Sequence, residues 1–88
     1  MLVQVTKRHI TRGEPGHAGR CAVALALTEM GYELVHVGEA IVLIKGCDQH
    51  IYVTPVGVKE WMYRFDTDRP VKPFMFILDP PVRTRRLP

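Results

Sequence analysis

The chain reads as one small α+β domain in the order β-α-α-β-β-β-α-β, with a mainly antiparallel sheet packed on a buried helix and an amphipathic helix. Three observations predict this. Residues 21–27 run Cys-Ala-Val-Ala-Leu-Ala-Leu, seven apolar residues in a row. That is too short to cross a bilayer and rich in helix formers, so it forms a short helix, apolar all round, that has to be buried. Val58, Trp61, Met62 and Phe65 recur at helical spacing and give a second helix one apolar stripe. Between the two helices, β-forming segments alternate with glycine-bearing turns, the pattern of a meander.

The elements follow in order. Leu2, Val3 and Val5 make a short strand, and Thr6 stands where a helix N-cap would, ahead of Lys7-Arg8-His9-Ile10-Thr11-Arg12 and the stop residue Gly13. Glu14 to Gly19 is a loop by its proline and glycines. The buried helix spans Arg20 to Met30, closed by Gly31. Tyr32–Val37 and Ala40–Ile44 pair as a hairpin across Gly38-Glu39, and His50–Val53 adds a third strand after a turn at Gly46 to Gln49. Thr54-Pro55 opens the amphipathic helix as N-cap and first turn, and Asp68-Arg69-Pro70 breaks it. Pro73 to Leu78 is the last strand, a neighbour of the first. Leu25 and Trp61 are expected in the core. The domain covers residues 1–79, and residues 80–88 are expected to be a mobile basic tail with too little apolar content to pack.

A chain of 88 residues buries little of its surface, about 60 to 65% of what the unfolded form exposes. Apolar residues make up 47% and charged residues 24%, the balance of an ordered globular protein. Two cysteines, Cys21 and Cys47, are too few for a disulfide scaffold. No charged start leads into a long apolar stretch at Met1 to Thr6, and no run suits a membrane span. The expectation is a cytoplasmic, reduced protein.

The net charge of +3 is unevenly placed. Residues 1–20 carry Lys7, Arg8, Arg12 and Arg20 against Glu14, and residues 79–88 carry Arg83, Arg85 and Arg86 against Asp79, while the middle is slightly acidic. Basic ends of this kind can contact phosphates or an acidic protein surface, or can simply be solvated. The candidate contact residues are therefore Lys7, Arg8, Arg12, His17, Arg20, Arg83, Arg85 and Arg86.

The spacing Val-Thr-x-x-His-Ile-x-x-Gly at Val5 to Gly13, Cys-x-Val-Ala-Leu-Ala-Leu at Cys21 to Leu27, Val37-Gly38, Phe65-Asp66 and Val71-x-Pro-Phe-x-Phe-x-Leu resembles a family of small uncharacterised phage and prophage proteins. The likeness runs nearly the whole chain up to Leu78. A proline usually follows the cysteine in that family, where this chain has Ala22. The resemblance implies a small accessory protein in an infected bacterial host, and says nothing about a catalytic site.

The remaining constellations are thin. His17-x3-Cys21 and Cys47-x2-His50 could together supply the ligands of a Cys2His2 zinc site, but both orders are unusual for a zinc finger and Cys21 starts a buried helix. The expectation is two structural cysteines, with Cys47 the more accessible, and no metal or other cofactor. Cys47, Asp48 and His50 lie in one tight turn and cannot face one another as a triad. Glu29, Glu33 and Glu39 read as solvated rather than as an acid–base pair. Gly13-x-x-Gly16-x-x-Gly19 lacks the Lys-Ser/Thr of a P-loop, though its amides could meet an anion beside His17 and Arg20. Tyr32, Tyr52 and Tyr63 are either stacking residues or half-buried packing.

These readings lead to a non-enzymatic protein that binds a host or phage macromolecule and modulates it, inhibition of a CRISPR-type defence nuclease being one such case. The alternative is a small nucleic-acid-binding protein using the basic ends. Either a monomer or a homodimer is compatible with the sequence.

Overall fold

The computed structural model describes all 88 residues. Its elements are β1 (Leu2–Val5), α1 (Lys7–Arg12), α2 (Ala22–Glu29), β2 (Leu34–Val37), β3 (Ala40–Lys45), β4 (Asp48–Val53), α3 (Val56–Asp66), β5 (Phe74–Ile77) and β6 (Arg83–Arg86). The class is α+β, as the sequence predicts, but the strands form two antiparallel sheets rather than one. One holds the two strands β1-β5 and the other the four strands β2-β3-β4-β6.

Helix α2 organises the molecule, packing against α1, β1 and β2. Val23 and Leu27 on α2 have no solvent exposure, nor do Val3 on β1 and Ile41 and Leu43 on β3, and these side chains meet Val5, Val37, Val58, Phe65 and Leu78 in one core. Removing a Leu27-sized side chain from water contributes about 1.5–3 kcal/mol. Leu25 is only half-buried, because its position on α2 turns it away from the core that Val23 and Leu27 enter. Trp61 is also half-buried; it stacks on Phe74 with ring centroids 4.6 Å apart, and its indole N–H donates to Lys72 O at 2.9 Å.

Local chemistry accounts for the element boundaries. Cys21, not Arg20, ends the loop: its Sγ accepts the Ala24 N–H at 3.4 Å and caps α2. Gly31 follows α2 at φ +102°, a conformation that glycine adopts without a Cβ penalty. Strand β4 begins at Asp48, two residues earlier than expected, because Gly46-Cys47 alone make the turn and Lys45 pairs Asp48. Gly46, at φ +61°, takes the first central position, where two-residue hairpins of the II′ kind need glycine. Thr54 does not cap α3; Pro55 holds that position, and the Thr54 hydroxyl donates to Gly38 O at 2.8 Å, tying the β2–β3 turn to the start of α3.

The expected mobile tail is a correction. Residues 83–86 form β6 and pair antiparallel with β4, Ile51 opposite Arg83 through Asp48 opposite Arg86. Backbone bonds from Val82 N to Ile51 O (2.9 Å) and from Leu87 N to Cys47 O extend the pairing at both ends. The physical reason is that β4 would otherwise present an unpaired edge of amides and carbonyls, and an arginine-rich segment with no core residues can still satisfy a ladder.

Candidate interaction surface

The N-terminal cations do not act as a set. The Arg8 guanidinium donates to Glu29 Oε1 at 2.6 Å, and Arg20 pairs with Glu14 at 3.3 Å. Lys7 and Arg12 are exposed on α1 and make no ion pair, and His17 is exposed in the loop. Glu29 is exposed, as its reading as solvated expects, and is ion-paired as well.

The reason is His9, which the sequence hides. It is 4% exposed, and both ring nitrogens are occupied: Nδ1 accepts the Thr6 backbone N–H at 2.9 Å, and Nε2 lies 2.8 Å from Glu29 Oε2. Because Nδ1 accepts from a backbone amide, the ring proton sits on Nε2 and is donated to Glu29. Thr6 and His9 together form a capping box with histidine where glutamate or glutamine is usual. The bond from His9 holds the Glu29 carboxyl below its ordinary value, with Arg8 adding its charge. A cleft of about 300 Å³ opens here, lined by Leu2, Gln4, Thr6, His9, Ala26, Glu29 and Met30. With its ring fully engaged, His9 serves as a joint between α1 and α2.

Most amides of the glycine loop are engaged within the fold. Gly16 N–H donates to Asp66 Oδ1 at 3.0 Å, while the amides of Glu14, His17 and Arg20 bond to carbonyls within the same loop. His17, Cys21 and Asp66 line a small pocket of about 110 Å³. Burial pushes the Cys21 thiol up, so it stays protonated at neutral pH and lacks thiolate character. Cys21 is buried and Cys47 exposed, and no three His, Cys, Asp or Glu side chains gather closely enough to hold a metal ion. His50 instead bonds Thr84 on β6, Nδ1 to Oγ1 3.1 Å.

Two of the tyrosines are packing residues. Tyr52 is buried and Tyr32 half-buried against the core, and burial together with Tyr32 raises the Tyr52 phenol. Tyr63 stays exposed, with the Arg69 guanidinium 5.6 Å from its ring centre.

The β6 arginines gain most from the fold. Strand register sorts the four-stranded sheet into two faces. Val37, Ile41, Leu43 and Tyr52 turn toward α2 and the core. On the opposite face the pairing lays out two rows across the strands: Leu34, Ile44, Gln49, Arg85 and His36, Val42, Ile51, Arg83, with Ala40 and Val53 beside them. None of these aliphatic side chains belongs to the core or packs against it, and Leu34 and Val53 are each 63% exposed. Each row ends in an arginine that makes no ion pair, and no carboxylate stands on this face. Ala40–Ile44 is an unbroken apolar run that shows no face by itself, and the face needed the register of β6, which sequence reading missed.

Fold and surface thus define a small α+β domain with an uncovered aliphatic sheet face edged by arginines. Comparison with known proteins finds no match to a family model, a curated protein or a solved structure. No helix is long and apolar enough to cross a membrane.

Proposed function

We propose that this is a non-catalytic binding protein that engages another protein and alters its activity. One observation carries the reading: Arg83 and Arg85 stand on a paired strand, free of carboxylates, at the ends of two rows of surface aliphatics. Protein contacts combine an apolar centre with arginine in this way. Two of the groups with chemical potential are committed to structure, His9 through both ring nitrogens and Cys21 as a protonated cap. The resemblance to small phage proteins supports an accessory role in the cytoplasm of an infected bacterium; a host macromolecule is the partner this reading assigns, inhibition of a CRISPR-type defence nuclease being one case of it.

Nucleic-acid binding is the second reading, favoured by the unpaired cations Lys7, Arg12, Arg83, Arg85 and Arg86. One experiment separates the two. Tagged protein is incubated with nuclease-treated lysate of the bacterial host, and in parallel titrated with DNA and RNA over a salt series. The first reading expects a single stoichiometric protein retained after nuclease treatment. No retained protein, with micromolar nucleic-acid binding that weakens steeply with salt, overturns it in favour of the second.

A further inference from the structure

We infer that the open face of the β2-β3-β4-β6 sheet seats an amphipathic helix of the partner protein, an acidic one, with its carboxylates on the flank nearest β6; this rests on the protein-binding reading above. The face has two zones. Leu34, Val42, Ile44, Ile51 and Val53 supply an aliphatic floor over β2, β3 and β4, and Arg83 and Arg85 stand together along one side on β6. A sheet whose two faces both carry aliphatic side chains is completed by a layer on each, and α2 and the core fill only one here.

The dimensions suit one helix. Four strands at the usual spacing span about 14 Å, against about 10 Å for a helix with its side chains. Charge then decides the helix's polar residues. Nothing on this face carries a negative charge, so two adjacent guanidiniums are left to be matched from outside, and paired carboxylates match the guanidinium fork.

Two other occupants fit worse. A second copy of this chain, docked face to face, brings no carboxylate on its own face to meet Arg83 and Arg85. Single-stranded nucleic acid on an open sheet is held by stacking on aromatic side chains, and the face has no Phe, Tyr or Trp.

The test uses the full-length ¹⁵N-labelled protein and two synthetic helical peptides. They share one leucine stripe; one carries glutamates along a flank of the stripe, the other lysines at the same positions. The expected result is that the glutamate peptide shifts amides along the two rows and the lysine peptide does not. Arg83→Glu with Arg85→Glu is expected to weaken binding by about tenfold or more. Leu34→Ser, at an exposed position that folding does not need, is expected to weaken it as well, which keeps the test valid should the arginine variant lose β6. Equal binding of both peptides, shifts confined to other surfaces, a dimer of the free protein buried through this face, or the same rows responding to an oligonucleotide would each overturn the inference. Its failure is distinct from failure of the binding reading. If the arginine variant still retains the partner from nuclease-treated lysate, the face is wrong and the reading stands; if the unaltered protein retains none, the reading itself is wrong.

Discussion

His9 Nε2 lies 2.8 Å from Glu29 Oε2, and this contact joins the first helix to the second across twenty residues of chain. The same ring caps α1 through the Thr6 N–H, so one buried imidazole satisfies a helix end and fixes an interhelix angle together. His9→Ala removes the cap acceptor and leaves a gap in a buried site. The expected loss is about 1–3 kcal/mol in urea unfolding, with His9→Gln recovering part because glutamine is an ordinary capping-box partner. Glu29→Ala is expected to destabilise as well, less through the exposed Arg8 pair, which contributes little, than by leaving the buried His9 Nε2–H without its acceptor.

Stability should fall on the acid side through Glu29. Its carboxyl is held below the ordinary value of 4.5 by the bond from His9, so the unfolded chain takes up the proton more readily than the folded one. This contribution is fully present above about pH 4.5 and is lost as pH falls through the lower folded value. Thermal melts from pH 7 to pH 3 are expected to show a shallower acid limb for Glu29→Gln than for the unaltered protein. Identical limbs would show that the contact is not maintained in solution.

Within α2, neighbouring leucines should differ. Leu27 has no solvent exposure, whereas Leu25 is half-buried. Leu27→Ala is expected to cost about 2–5 kcal/mol by transfer and cavity formation, and Leu25→Ala distinctly less. Equal losses in denaturant titrations would place the wrong face of the helix inside.

Gly13 should tolerate no side chain. A Cβ there would stand 2.7 Å from Ala22 N, 2.8 Å from His9 O and 2.9 Å from the Phe65 ring, at a point where the end of α1, the start of α2 and α3 converge. Gly13→Ala is expected to destabilise by about 1–3 kcal/mol or more, because two of the three neighbours are backbone and cannot rotate aside. Gly57→Ala, where nothing lies within 4 Å, is the matched control and should be neutral or mildly stabilising.

Deleting residues 82–88 should do more than remove charge. It strips β6 from β4 and bares the β4 edge, so the expected result is lower thermal stability together with self-association in sedimentation runs. A truncated protein that stays monomeric and melts unchanged would show that β6 is not paired in solution.

Much of the architecture is legible because local patterns carry it. The seven-residue apolar run has only one way to be satisfied in a small chain, and α2 is indeed the centre of the core. The stripe of Val58, Trp61, Met62 and Phe65 and the Thr6 cap were readable from spacing and turn residues, and the first and last predicted strands are neighbours as expected. The surface was less legible. Lys7, Arg8, Arg12 and Arg20 look like one basic cluster in sequence, yet Arg8 and Arg20 are drawn to carboxylates that spacing cannot bring near them.

The sequence by itself determined the elements as far as β5 and the buried helix, since hydrophobic period and turn chemistry act over a few residues and need no partner. Tertiary structure alone decided three things: that His9 meets Glu29, that the strands divide into two sheets, and that residues 83–86 become a strand instead of a tail. Each depends on a contact between distant segments, and the arginine strand most of all. Its residues have no apolar pattern of their own to bury, and what orders them is the free backbone edge that β4 presents once the rest has folded.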